Sequence, residues 1–477
     1  MSTETTRQHA DPGSEEPDPR RWRILAVSLI VGFMALLDVS IVNIAVPSMQ
    51  RGLHTTPGAI QWVVSGYALT FGLVLVAGGR LGDAFGRKRL MVIGLCGFIV
   101  SSAAVGLAPT ALAVIGARLV QGLAAGLLTP QNSGLIQQLF TGPERGRAFG
   151  LFGFTVSVSA ACGPVLGGAI LALAGEATGW RYLFLINVPI GLAALLFVVR
   201  LVPGRNEAVS GGDPRVDVPG ALLLGAAVVA MLYPVVSVEG HQYWPLLMLL
   251  AVPALIWAFV RWERHVGRRG RPPLLDLQLL RRVPGYASGL VIGTLYFTGF
   301  TGVVLVTSFY LQEGLGVGPL HAGLLVAPYA VGAAVSAPIA GNFVSSVGRR
   351  ITVAALVVVA VGVTVFAILG PTRTVGQLWW VAVPALLLAG LGGGSVVSPN
   401  LTLTLAEVPR EMGGAAGGAL QTGQRIGSSI GAALLMTAYS LVSEHASPHL
   451  GLRLALLVGI VAIVGALVVA VRDWRRG

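Results

Sequence analysis

The chain has 477 residues, of which 54% are hydrophobic and only 11% charged, with 65 glycines and a mean hydropathy of +0.79. That balance excludes a soluble domain of this length and describes a polytopic membrane protein. The formal net charge of +12 would suggest a nucleic-acid partner in a soluble chain, but here the basic residues fall in short gaps between apolar runs, so no nucleic-acid partner is expected.

Residues 1–19 are polar and acidic with no apolar core ahead of a cleavage site, which predicts a cytosolic tail rather than a signal peptide. A sliding window of about 19 residues finds fourteen apolar segments, at 24–46, 59–79, 89–108, 111–133, 148–173, 182–201, 217–237, 243–261, 286–310, 320–341, 351–370, 377–400, 413–441 and 450–471. The expected fold is therefore an all-α integral membrane protein of 14 transmembrane helices. An even number of spans puts both termini on one side. With the amino terminus inside, 26 of the 32 Lys and Arg residues are inner; Arg51, Arg181, Arg373 and Arg453 fall outside, and Arg118 and Arg425 lie within spans. This asymmetry predicts a multi-pass protein of the cell's inner (plasma) membrane with both termini cytosolic.

Span 1 contains "LLDVSIVNIAVP", residues 36–47, in which Asp38 is the only charge of an otherwise lipid-soluble helix. A charge at that depth costs about 2.5 to 3.5 kcal/mol even on lenient insertion scales, so an intramembrane acid points to function. Asp38 lies about eight residues from the outer end of its span, or about 12 Å at the helical rise. Arg118, in span 4, falls at the same depth. In hydrocarbon an isolated acid favours its neutral form, and a nearby guanidinium favours its charged form. A carboxylate alternating between those surroundings can load and release a proton, so Asp38 and Arg118 are the candidate proton-coupling pair; the alternative is a static ion pair.

After span 2 comes "GRLGDAFGRKR" at 79–89. Gly82 and Gly86 allow a tight turn, and Asp83 falls close to Arg87 and the start of span 3, so charge pairs can hold one conformation closed at the inner face. Gly79, Gly82, Asp83, Gly86, Arg87 and Lys88 form the expected gate loop. Arg87, Lys88 and Arg89 alone would suffice for a topological anchor, but the intervening acid and the glycine spacing favour a latch. In span 5, "CGPVLGGAI" offers a flat face at Gly163, Gly167 and Gly168, with Pro164 removing a backbone donor, so a neighbouring helix can approach closely. Cys96 and Cys162 both fall in spans and are expected to be packing residues.

Two landmarks recur. Gly86-Arg87 and Gly348-Arg349 are 262 residues apart, and "PERGRAFG" at 143 and "PREMGGAAGG" at 409 are 266 apart. Spans 1–6 and 9–14 thus read as parallel repeats. The predicted organisation is 1–203, a tail and a six-helix half; 204–283, a linker with spans 7 and 8 and an interfacial helix over "PLLDLQLLRR" (273–282); and 284–477, a second six-helix half with a short cytosolic tail. Repeated membrane halves place a substrate path at their interface. The position repeating Asp38 is Phe300, so proton handling is expected in the first half alone. Glu313 and Glu407 are expected at interfaces, and Arg425 follows Gln424 with no assigned coupling role. Asn43, Gln61, Tyr67, Gln131, Asn132, Asn187, Tyr296, Tyr329, Asn400 and Gln421 are candidates to line a largely apolar cavity, although Asn43 and Gln121 equally suit bonds between helices.

No phosphate-binding Gly-Lys-Ser/Thr loop, zinc-binding His pair or nucleophile elbow is present. No enzyme, no metal site and no cofactor are expected.

The pattern Gly-x-Leu-x-Asp-x-x-Gly-Arg-Lys-Arg after span 2 resembles the signature of the major facilitator superfamily. "LDVSIVNIAVP" in span 1 and "WRYLFLINVPIG" at 180–191 are similar to its fourteen-span drug/proton antiporter branch, "GARLVQG" resembles the span 4 motif, and Gly163-Pro164-x-x-Gly167-Gly168 resembles a pattern of the superfamily's exporters. The resemblance covers essentially the whole chain. It implies two six-helix bundles with two extra spans between them. Its implied activity is a monomeric, cofactor-free antiport driven by the proton gradient, exporting hydrophobic small molecules, cationic ones among them, such as drugs or antibiotics. The lack of an acid in span 10 sets this chain apart from relatives that export dications, and the Gln424-Arg425 order departs from the commoner Arg-Gln of span 13. A uniporter or importer of a polar metabolite is the first alternative; a membrane sensor or channel is the second.

Overall fold

The computed structural model describes residues 18–175, 177–204, 217–239, 244–271 and 273–476. Within them the chain forms α1 (Arg21–Gly52), α2 (Pro57–Phe85), α3 (Arg87–Leu107), α4 (Ala111–Leu139), α5 (Gly142–Ala174), α6 (Gly179–Leu185), α7 (Asn187–Leu201), α8 (Val218–Glu239), α9 (Val252–Arg268), α10 (Leu279–Arg282), α11 (Tyr286–Phe309), α12 (Pro319–Val347), α13 (Arg349–Leu369), α14 (Val375–Thr404), α15 (Gly413–His445) and α16 (Pro448–Trp474). Helix starts follow local chemistry. The side chains of Thr56, Thr110 and Ser447 accept the amides of Ala59, Ala113 and Leu450, and Thr374 with Gln377 forms a capping box.

Thirteen stretches among the described residues are long and apolar enough to cross a membrane. One joins α6 to α7 (Gly179–Leu201), and another runs from a 3-10 segment at Trp244 through α9 to Arg268. The segment expected at 182–201 thus starts earlier and is interrupted at Ile186. Pro189 accounts for the break, since it lacks the amide that would bond back one turn and its ring crowds the carbonyl there. The segment expected at 217–237 coincides with α8, whose apolar stretch, Val218–Pro234, is shorter than the rest.

Burial separates the helices into a leading group, α1–α7, and a trailing group, α11–α16. Ile24, Met34, Phe71, Leu95, Leu128 and Val198 belong to one apolar core, and Ile292, Leu325, Leu356, Leu386, Leu435 and Ile463 to another. A third core crosses between the groups: Ile136, Phe149 and Phe152 meet Tyr286, Leu401, Leu405 and Leu420. It sits at the end of the helices that carries Arg87, Arg145, Arg349 and Arg410, the basic end. At the opposite end the core of Ile41, Val63, Val114, Trp180 and Phe184 draws on leading helices only.

Two glycine seams bring the groups into contact at the basic end. A Cβ on Gly79 of α2 would stand 2.1 Å from the Gly414 carbonyl oxygen of α15, and one on Gly341 of α12 would stand 2.5 Å from that of Gly146 in α5. Only backbone without side chains can cross so closely.

Residues 273–282, expected as a helix along the membrane surface, are helical only in α10. Leu274 and Leu275 are buried against Val76, Phe259 and Ala419, and Leu279 joins the core shared by the two groups. Leu274, Leu275 and Leu279 therefore face protein, while Leu280 is exposed. Cys96 is exposed and Cys162 half-buried, so neither is a core residue.

Candidate functional site

Asp38 is 1% exposed in the middle of α1, and four helices supply its surroundings. Arg118 of α4 donates from Nη1 to Oδ2 at 2.5 Å; Oδ1 accepts from Gln121 Nε2 and from Asn187 Nδ2, each at 3.0 Å. Gln121 also donates to Ser102 of α3 at 2.7 Å and accepts from Arg118 at 2.8 Å. Arg118 Nε donates to the Val63 carbonyl at 3.1 Å, while its guanidinium lies 4.0 Å from the centre of the Tyr67 ring. Tyr67 in turn donates to the Ala35 carbonyl at 3.3 Å. A buried ion pair is tolerable only when its remaining donors and acceptors are largely met, and here both carboxylate oxygens and two of the three guanidinium nitrogens have partners. Residues placed apart in the sequence reading, the Asp38 and Arg118 pair and the cavity candidates Tyr67 and Asn187, thus form one network.

The position repeating Asp38 shows a different solution. Phe300 stacks on Tyr296 and on Tyr329, with ring centres 5.8 and 4.5 Å away, and the two tyrosine hydroxyls bond at 2.6 Å. Tyr329 repeats Tyr67 at the same offset of 262 residues. An aromatic stack in the trailing group stands where the leading group holds an ionic network.

At the basic end, Asp83 is fully enclosed. Its Oδ1 accepts from Arg87 Nη2 at 2.8 Å and from the Gly414 amide at 3.1 Å, and its Oδ2 accepts the Ala415 amide at 2.9 Å. Arg87 Nη2 also donates to the Arg410 carbonyl at 3.1 Å. Gly86, between α2 and α3, has φ +95°, a conformation open to glycine. Gly82 leaves room for Gln131, whose Oε1 would be 2.0 Å from a Cβ there, and Lys88 donates to the Val199 carbonyl at 2.7 Å. A second set of bonds closes the neighbouring seam: Gln137 to the Leu405 carbonyl at 2.7 Å, and Arg145 to Gln137 at 2.9 Å and to the Ala406 carbonyl at 3.0 Å. Among the described residues, the side-chain hydrogen bonds between leading and trailing groups lie toward this end.

The other cavity candidates scatter. Gln421 donates to Ser133 across the seam at 2.9 Å, Gln131 donates to the Gly78 carbonyl at 2.9 Å, and Asn132 bonds Ser28. Among the described residues, the buried Asn132 Nδ2, Gln131 Oε1 and Gln421 Oε1 have no hydrogen-bond partner. Asn400 accepts from Arg349 at 2.9 Å and donates to Gly289, beside the Arg349 to Asp473 ion pair at 2.6 Å. Gly163 packs on Ser40 of α1, Gly167 is buried, and Gly168 is exposed with open space beside it. Glu313 and Glu407 are exposed at opposite ends of the molecule. The side chains of Asn43, Gln61 and Pro164 lie outside the described residues. Sequence reasoning missed the amides of Gly414 and Ala415, the Ser102 hydroxyl that accepts from Gln121, and the Asp473 partner of Arg349. Gln121, read in the sequence as suited to bonds between helices, does make them, to Ser102 and Asp38.

Residues 28–432 match the family model described as Major Facilitator Superfamily. The chain is 36% identical over 426 residues to the probable actinorhodin transporter of Streptomyces coelicolor, covering 89% of this chain and 73% of that one. It is 37% identical over 426 residues to the puromycin resistance protein of Streptomyces alboniger, covering 88% and 82%, and 31% identical over 444 residues to the tetracenomycin C resistance and export protein of Streptomyces glaucescens, covering 91% and 79%. Among solved structures, the human organic anion transporter MFSD10 matches with a TM-score of 0.68 at 15% identity, covering 95% of this chain and 100% of that one. The proton:xylose symporter XylE matches with a TM-score of 0.66 at 15% identity, covering 93% and 94%. With a family match over most of its length, the chain belongs to the Major Facilitator Superfamily.

Proposed function

We propose that this protein is a proton-coupled antiporter that exports hydrophobic small molecules by alternating access. The observation that carries the reading is the Asp38 network: an intramembrane carboxylate, sealed from solvent, whose charge holds donors from α4 and α7 on α1. When Asp38 takes a proton, Arg118, Gln121 and Asn187 lose the charge that orders them, so α1, α4 and α7 are free to shift. When it releases the proton, they re-form. Closure at the basic end through Asp83, Arg87 and the two glycine seams supports the second element of the reading, a gate that is shut on one side while the path is open on the other.

The relatives named as transporters or resistance proteins for actinorhodin, puromycin and tetracenomycin C support export of antibiotic-like substrates. In this reading α1–α7 and α11–α16 are the two six-helix halves, and α8 and α9 with its preceding 3-10 turn are two inserted spans, fourteen in all. The basic end and both termini are cytosolic, the chain works as a monomer in the plasma membrane, and it needs no cofactor beyond the proton gradient. Asp38 and Arg118 couple the proton, Gly79 to Lys88 form the gate loop, and Gly163 to Gly168 the exporter motif.

Everted vesicles containing the protein test this. With a panel of hydrophobic drugs, imposed acidification of the lumen should drive uptake of at least one compound, and dissipating the gradient should abolish it. Transport indifferent to the gradient would overturn the antiport assignment.

A further inference from the structure

Arg425 lies in the middle of α15, where that helix faces α2 beyond the glycine seam. Along the antiparallel pair, Gly414 meets Gly79, Gly418 meets Leu75, and Arg425 meets Phe71, with its guanidinium 4.6 Å from the ring centre. On the face of α15 toward α2 the glycine contacts end at Gly418, and those farther along meet α11 instead. Arg425 thus lies about two helical turns past the Gly418 contact, against a ring of the opposite helix group.

Its charge is not compensated within the protein. Among the described residues Arg425 takes part in no ion pair or hydrogen bond, and it is half-buried rather than sealed. Asp38 and Arg118 share with it the electrostatic reach of Tyr67, and Asp38 is already engaged by three donors. Tyr67, within electrostatic reach of Arg425, spends its hydroxyl on the Ala35 carbonyl. Two guanidiniums therefore bracket two aromatic rings. Arg118 covers Tyr67 at 4.0 Å, Tyr67 stacks on Phe71 at 5.9 Å with planes 13° apart, and Arg425 covers Phe71. Of the two cations only Arg118 has a carboxylate.

A ring face is a weak counterweight to a cation in a medium of low dielectric. It is also supplied by the opposite helix group. When α2 and α15 separate, as alternating access requires, Arg425 loses it and is left facing the path with five donors and no acceptor.

We propose that Arg425 is the anion-binding residue of the substrate path, and that the exported molecules carry a carboxylate or an ionised phenol on an aromatic, apolar body. This rests on the export reading above and specifies its substrate class. The anion bonds the guanidinium, and the aromatic body lies against the face of Phe71 that Arg425 covers in the closed arrangement. A permanently cationic substrate meets uncompensated like charge and is disfavoured.

The test uses the purified full-length protein in detergent and three matched fluorescent probes: anthracene-9-carboxylate, its methyl ester, and anthracenylmethyl trimethylammonium. The wild type should bind the carboxylate about tenfold or more tighter than either other probe, the discrimination expected for a charge-assisted hydrogen bond. Arg425→Gln should erase the preference to within about twofold, and Arg425→Lys should retain part of it, which shows that charge rather than folding is being read. Tighter binding of the ammonium probe, absence of carboxylate binding, or a carboxylate preference that survives Arg425→Gln overturns the proposal. Vesicle efflux of the same probes reads the export assignment separately: carboxylate-selective binding without gradient-driven efflux sinks that assignment and leaves the anion site standing.

Discussion

Asp83 on α2 accepts the backbone amide of Ala415 on α15 at 2.9 Å, so one carboxylate buttons the leading helices to the first turn of a trailing one. The bond is charge-assisted and sits at the positive end of a 33-residue helix. Arg87 holds the same carboxylate from the side at 2.8 Å.

Asp83→Asn keeps the size of the side chain but removes the charge and half of its accepting capacity. Charged hydrogen bonds contribute about 1.5 to 3 kcal/mol each, so the closed basic end should lose tenfold or more in population. Transport in vesicles should fall strongly at unchanged membrane insertion. A variant that transports like the parent would reduce the loop to a topological anchor.

Gly341→Val tests the second seam. The added side chain meets the Gly146 carbonyl at 2.5 Å and Gly150 backbone at 2.8 Å, neither of which can rotate away. Spin labels on Arg147 of α5 and Ser346 of α12, both exposed, should report a longer mean separation in the variant. An unchanged distance distribution would show that the seam yields without opening.

The strap before α10 makes a stability prediction. Leu274 is 1% exposed, so Leu274→Ala should cost about 2 to 5 kcal/mol and lower the melting temperature of the purified protein. Leu280, 36% exposed, serves as the comparison, and its alanine variant should melt close to the parent. Equal melting of the two would remove residues 273–275 from the packed core.

Much of this arrangement was legible because lipid imposes strict rules on sequence. Apolar length located the helices, and matched depth paired Asp38 with Arg118. The two repeat landmarks turned out to be the contacts themselves: the motif after span 2 meets the one leading into span 13, and the motif leading into span 5 meets the one after span 10. That crosswise pairing was hidden, because an offset in sequence says which segments are alike and not which of them touch. Asn187 was misplaced for a related reason. Whether an amide faces a cavity or a carboxylate depends on the rotation of its helix, and Asn187 starts a new helix after the interruption at Ile186, which hydropathy does not record. Partners supplied by backbone, such as the Gly414 amide on Asp83, have no side-chain signature at all.

The central claim is that Asp38 carries the coupling proton, and Asp38→Asn in proteoliposomes tests it most directly. Asparagine preserves the shape of the side chain and can still accept from Gln121 or Asn187, but it cannot cycle between charge states. With a proton gradient imposed, the variant should fail to accumulate substrate uphill while still exchanging labelled for unlabelled substrate across the membrane. Undiminished uphill transport at wild-type expression would contradict the account and leave Asp38 as a static partner of Arg118.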